Sequence, residues 1–272
     1  VAKRTFSTII LWSLVLGCLR YFGATGGVWL ITAISVLTLH EFYAMLERMG
    51  SHPFHRVGLL LGAAITLAPR YFGPYLDATE LLALGVIVSS VRILGERAPH
   101  DRVETLAWTI FGLVYVPFML HFLVRIVLIA HPQPHTGLVL GLWLIVVTKF
   151  CDSGALLTGL AIGRHKLAPD ISPKKTWEGV AGGMVLAVAA GAALAWAGRA
   201  YLPPGFTPLF GAAMAIPLAA LAVMSDLVES IIKRRADTKD TGRAIPGIGG
   251  VFDLSDSLIL AAPLGWLAFH LL

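Results

Sequence analysis

The sequence predicts an all-α, polytopic integral membrane protein with about nine transmembrane helices, and three observations carry that prediction. Charged residues make up 14% of the 272-residue chain, where roughly 25% is usual in a soluble domain, and mean hydropathy is +0.78. The apolar residues gather into nine runs, each near the ~20 residues a helix needs to cross the hydrocarbon of a bilayer. Lys and Arg, in contrast, are sorted onto alternate connections between the runs. This composition excludes a water-soluble domain, a disordered chain and a disulfide-stapled secreted scaffold. Cys18 and Cys151 both fall inside apolar runs and suggest no disulfide framework.

The runs are about 5–22, 27–46, 57–73, 80–95, 105–130, 137–163, 179–198, 209–233 and 251–272. The first reads as an ordinary span, not a cleavable leader, although Val15-Leu16-Gly17-Cys18 loosely resembles a lipoprotein cleavage site. The third and fourth are short and carry Arg70 and Arg92. No long polar stretch separates the runs and no internal repeat stands out. The expectation is one membrane domain over 1–272, with N-terminal helices in 1–136 and a catalytic part in 137–272.

With the N-terminus in the cytoplasm, one set of connections holds fifteen Lys and Arg residues and the other only Arg20, Arg70 and Arg199. That asymmetry predicts a cytoplasmic N-terminus, and nine spans then put the C-terminus outside. The formal net charge of +5 is accounted for by these loops, so no nucleic-acid partner is expected. Two cytoplasmic connections are the longest and most basic, Arg164–Glu178 and Arg234–Gly250.

The eighth run ends Ser225-Asp226-Leu227-Val228-Glu229-Ser230-Ile231-Ile232-Lys233-Arg234, and the ninth opens Phe252-Asp253-Leu254-Ser255-Asp256-Ser257. Asp226, Glu229 and Lys233 share one helical stripe, and Asp253 and Asp256 are again three apart. Carboxylates gathered at one membrane depth repel unless a cation joins them, and hard oxygen ligands beside phosphate-binding lysines point to Mg²⁺. The rival reading pairs these carboxylates with Lys233, Arg234 and Arg235 as snorkelling interfacial charges. In the sixth run Lys149 and Asp152 lie three apart. Either they neutralise each other, or Asp152 walls a polar cavity.

The loop Gly163–Gly179 mixes cations, hydroxyls and prolines, a combination suited to a polyphosphate: Lys174 and Lys175 supply charge, Ser172 and Thr176 directional donors. Lys239-Asp240-Thr241-Gly242-Arg243 and the glycines up to Gly250 add backbone N–H groups that can approach an anion. Either loop could equally be a positive-inside anchor.

Ser172-Pro-Lys-Lys-Thr-Trp-Glu-Gly179 and the series Lys233-Arg234, Lys239-Asp240-Thr241-Gly242, Pro246-Gly247-Ile248-Gly249-Gly250, Asp253 and Asp256-Ser257 together resemble the signature of the phosphatidate cytidylyltransferases, or CDP-diacylglycerol synthases. Asp152-Ser-Gly-Ala155, Gly163-Arg-His-Lys-Leu-Ala-Pro169 and Asp226-Leu-Val-Glu-Ser230 look like that family's other blocks, and Glu41-Phe-Tyr is a fainter likeness. The usual signature has His where this chain has Ile248 and Arg where it has Leu254; losing that Arg removes a partner for a phosphate or for Asp253. The resemblance implies that CTP and phosphatidate give CDP-diacylglycerol and pyrophosphate. On that reading Asp226 and Asp253 hold Mg²⁺, with Glu229 and Asp256 as further metal ligands and Asp152 in support; a second cation is left open. Ser172, Lys174, Lys175, Thr176, Lys233, Arg234, Lys239 and Arg243 grip the substrates, with Lys239 also in the catalytic set.

The implied partners are CTP from the cytoplasm and phosphatidate from the inner leaflet of a bacterial inner membrane, and a homodimer is left open. The rivals are a secondary transporter with an ion path through Lys149, Asp152 and Asp226, a lipid kinase, and another CTP-dependent lipid nucleotidyltransferase.

Overall fold

The structure, a computed structural model, describes residues 2–73, 75–96, 101–238, 241–242 and 249–271. Nine α-helices account for nearly all regular structure there: α1 (Ala2–Arg48), α2 (His55–Tyr71), α3 (Ala78–Glu96), α4 (Arg102–Leu113), α5 (Met119–Val127), α6 (Thr136–Ile162), α7 (Trp177–Ala197), α8 (Pro208–Arg235) and α9 (Phe252–His270). Seven helical stretches among the described residues are long and apolar enough to cross a membrane, so the expected count of about nine is not reproduced.

The difference lies in the first three runs. The first two are one helical stretch, α1, interrupted by non-helical dihedrals at Gly23 (φ 56°, ψ −139°), a region glycine enters without steric cost. The third, α2, has 17 residues, which at ~1.5 Å per residue falls short of a ~30 Å hydrocarbon layer. The fifth run is also divided: α4 passes into α5 through a π-helical turn, Val114–Phe118, which contains Pro117. Proline has no N–H to donate, and the turn accommodates the missing bond.

The other departure from an all-helical chain is a hairpin in the first basic loop. Strand β1 (Lys166–Ala168) pairs antiparallel with β2 (Ser172–Thr176), with Lys166 opposite Thr176 and Ala168 opposite Ser172. Pro169-Asp170 forms its tip, closed by the Ile171 N–H donating to the Ala168 carbonyl. Sequence periodicity gave no sign of strands so short.

The chain divides into two compact units, one of Val1–Val124 with Lys233–Ser255, the other of Arg125–Ile232 with Asp256–Leu272. In the first, the Tyr43 ring is wedged where a Cβ at either Gly58 or Gly112 would overlap it, and its hydroxyl donates to the Thr109 carbonyl at 2.8 Å. Phe42 packs against Phe111, Tyr115 and Phe252. In the second, Gly179, Gly183, Ala187, Gly191 and Ala195 form a buried stripe along α7 at four-residue spacing. Small residues let helix backbones approach closely, which is the main source of packing energy between helices in lipid. Gly154 of α6 faces Gly183, Gly191 of α7 faces Gly211 of α8, and Trp143 Nε1 donates to the Gly191 carbonyl at 2.8 Å.

Candidate active site

In the second unit, Asp226 and Glu229 stand one helical turn apart on α8 and meet Asp256 of α9. One carboxylate oxygen from each lies within 4.8 Å of the other two. Glu229 is 1% exposed and Asp256 6%. Ser225, beside Asp226, donates its hydroxyl to the Asp256 carbonyl and so locks the two helices together at this level. The Ser257 N–H donates to Asp256 Oδ1 at 2.6 Å and sets the direction of that carboxylate.

Lysines from two other elements reach this group. Lys149 of α6 lies 3.5 Å from Asp152 and 3.7 Å from Asp256, and donates to Ser257 Oγ at 2.8 Å. The Lys149–Asp152 pairing, one of the two readings of the sequence, is present, and the ammonium is shared with α9. Lys175, on β2, lies 2.6 Å from Asp226 and donates to the Val223 carbonyl at 3.4 Å. The hairpin makes that reach possible: along β2 Lys174 is exposed while Lys175 turns inward. Glu178 anchors its base, accepting from the Arg164 and His165 N–H groups and contacting His165 Nδ1 at 2.6 Å.

Thr176, read as a substrate grip, is 4% exposed and caps α7 instead, its hydroxyl accepting from the Gly179 N–H at 3.1 Å. Its place at the N-cap, where threonine is a preferred residue, is the signal that could have separated the two roles. Ser172 is half-buried and Lys174 exposed.

The first unit holds a separate arrangement around Asp253. Its Oδ1 accepts from Lys233 Nζ at 2.8 Å. Its Oδ2 accepts from the Gly250 N–H at 2.7 Å, the Thr241 N–H at 3.3 Å and the Thr241 hydroxyl at 2.8 Å. Gly249 has φ 126°, and a Cβ there would crowd Asp253 Oδ2. Arg234 is exposed at the end of α8; Lys239 and Arg243 lie outside the described residues. Glu41 of α1, only a faint likeness in the sequence, is 8% exposed; its Oε2 accepts from the Phe252 N–H at 2.9 Å and lies 3.1 Å from the Thr241 hydroxyl. A carboxylate inside an apolar run is expensive without partners, and that cost was its sequence signal.

Asp226, Glu229 and Asp256 fit a hard cation: three carboxylates converge, two of them buried, at a point already compensated by ammonium groups. With a cation bound, such a cluster beside a basic hairpin could neutralise and orient a polyphosphate.

Helices of this length and apolarity, carrying a cluster of ionisable groups, define a multi-pass membrane protein with an acidic, lysine-compensated site. The sequence model of the cytidylyltransferase family matches residues 2–272, and the chain belongs to that family. It is 31% identical to a phosphatidate cytidylyltransferase of Haemophilus influenzae over 278 aligned positions, 96% of each chain. A Mycobacterium bovis phosphatidate cytidylyltransferase is 33% identical over 178 positions; that match takes in 65% of this chain and 55% of the mycobacterial protein, about half its length. A Synechocystis phosphatidate cytidylyltransferase is 28% identical over 88% of this chain and 87% of its own.

Proposed function

We propose that the chain transfers the cytidylyl group of CTP to phosphatidate, giving CDP-diacylglycerol and pyrophosphate. The observation that carries this reading is the convergence of Asp226, Glu229 and Asp256 with Lys175 held against them by the hairpin, in a chain whose relatives bear that activity in their names.

A phosphatidate oxygen attacks the α-phosphorus of CTP. The new O–P bond forms as the bond from that phosphorus to the bridging oxygen breaks, and the oxygen leaves with the electron pair as part of pyrophosphate. A phosphate monoester loses its second proton near pH ~6, so the nucleophile is ionised without a protein base. The protein's task is to align two anions and neutralise the leaving group. Asp226, Glu229 and Asp256 would hold Mg²⁺, which when bound supplies positive charge to the triphosphate. Lys175 and Lys149 keep the carboxylates compensated in the free protein, and their flexible stems let the ammoniums turn to phosphate oxygens when substrate arrives. In the first unit Asp253 would take part as an acid whose Oδ1 is paired with Lys233 in the free protein.

The charge asymmetry of the connections supports a cytoplasmic N-terminus and an external C-terminus in a bacterial inner membrane. CTP and the inner-leaflet headgroup would then reach the site from the same side.

Purified protein in detergent, given phosphatidate, Mg²⁺ and CTP labelled at the α-phosphate, is expected to produce labelled lipid and free pyrophosphate. Label entering lipid from the γ-phosphate would make the protein a kinase, and no reaction at any lipid phosphate would favour transport.

A further inference from the structure

We infer that Glu41 is a positioning residue for the Asp253–Lys233 pair of the first unit, acting from the N-terminal helix α1 on residues 200 and more positions away. This rests on the proposed cytidylyl transfer and adds to it a residue outside the C-terminal motifs. Four observations within the first unit converge on it. The Glu41 carboxylate accepts from the Phe252 N–H, one of the donors that the first turn of α9 cannot satisfy within the helix. A negative group there also complements the positive end of the helix dipole. The Thr241 hydroxyl stands between this same oxygen, Oε2, at 3.1 Å and Asp253 Oδ2 at 2.8 Å. Two glycines make room for this acid: a Cβ at Gly242 would strike Oε1, and one at Gly250 would strike Oε2 and the Thr241 hydroxyl. One turn earlier on α1, Thr38 bonds Ser255 at 2.8 Å, a second tie between the same two helices.

The Thr241 hydroxyl carries one proton and faces two carboxylates. Asp253 also receives the Gly250 and Thr241 N–H groups and the Lys233 ammonium. Glu41 thus holds Thr241 between itself and Asp253, and through Thr241 and Phe252 it fixes where Asp253 and Lys233 stand. Removing the carboxylate leaves the Phe252 N–H buried with no acceptor at Glu41, and leaves space that the two glycines cannot fill.

The test uses the full chain in detergent with the variants Glu41→Ala, Glu41→Gln, Thr241→Val and Glu41→Ala/Thr241→Val. Glu41→Ala is expected to lower kcat for cytidylyl transfer about tenfold by letting Asp253 and Lys233 shift from their places. Glu41→Gln keeps an acceptor oxygen and should recover part of that loss. Because both side chains act on one carboxylate, the double variant should lose little more than the worse single one instead of the product of the two losses. Independently of activity, deuterium uptake by the peptide holding 249–254 should rise in Glu41→Ala while uptake along α6 and α7 stays as in the parent. Unchanged uptake in 249–254, unchanged kcat, or fully multiplicative losses would each overturn the assignment. If the parent protein transfers no cytidylyl group, the function proposed above fails, and the exchange measurement decides the role of Glu41 alone.

Discussion

Asp226 meets Lys175 at 2.6 Å, Asp253 meets Lys233 at 2.8 Å, and Asp152 and Asp256 share Lys149 at 3.5 and 3.7 Å. These pairs have different consequences on mutation. Asp226→Asn removes one charge from the proposed metal cluster, so turnover is expected to fall roughly a hundredfold, with part of the loss recovered by extra Mg²⁺. Lys175→Ala removes an ammonium that the proposed mechanism turns to phosphate oxygens, so it should raise the KM for CTP, and because the same ammonium no longer occupies Asp226 the Mg²⁺ requirement should not rise. Steady-state rates across a Mg²⁺ titration, with melting temperatures as a check on folding, separate the two; a folded Asp226→Asn protein with near-normal turnover removes Asp226 from the site. That Asp226 and Glu229 share a face was legible in the sequence, because carboxylates three residues apart on a helix must do so. What was not legible is which cation meets which acid. Lys149 on Ser257 and Glu41 on Thr241 join residues more than a hundred positions apart, and no local pattern encodes such pairings.

Among the elements, α7 is the one whose packing follows most directly from its composition. Its stripe of Gly and Ala at every fourth position carries nothing larger than a methyl group, so its fit to α6 depends on backbone proximity. A side chain at Gly183 would run into the Cys151 carbonyl and the Ala155 methyl. Gly183→Leu is therefore expected to destabilise the detergent-solubilised protein by about 1–3 kcal/mol, the usual cost of overpacking, or to prevent folding. Val185→Leu, at a position 70% exposed on the same helix, should leave the melting temperature within error. Equal melting temperatures for the two variants would contradict the close α6–α7 approach. The hairpin β1–β2 is not legible in the sequence, because three- and five-residue strands carry too little periodicity to register. The interruption at Gly23 and the π-helical turn at Pro117 escaped for a different reason: hydropathy measures how far apolar character extends and is blind to backbone dihedrals.

For the molecule as a whole, the distribution of Lys and Arg makes a claim about sidedness. A reporter active only outside the cytoplasm is expected to be active when fused after Leu272 and silent when fused after Arg243. The inverse pattern would put the basic connections away from CTP and would count against cytidylyl transfer as well. Multi-pass, helical character was legible from composition alone. The number of crossings was not, since α2 falls just below the length of a full span and α1 joins two of the expected runs.

The Tyr43 ring, lying where a methyl group at either Gly58 or Gly112 would overlap it, constrains how this sequence can drift. Two residues away from Gly58, Leu60 is 76% exposed, and any apolar side chain compatible with lipid serves there. At positions 58 and 112 one added carbon collides with a ring fixed by its hydroxyl bond, so neither glycine can change unless Tyr43 shrinks first. The three positions form a single unit of inheritance: substitution must begin with the tyrosine, and once it has been replaced by something smaller, larger residues at 58 or 112 bar its return.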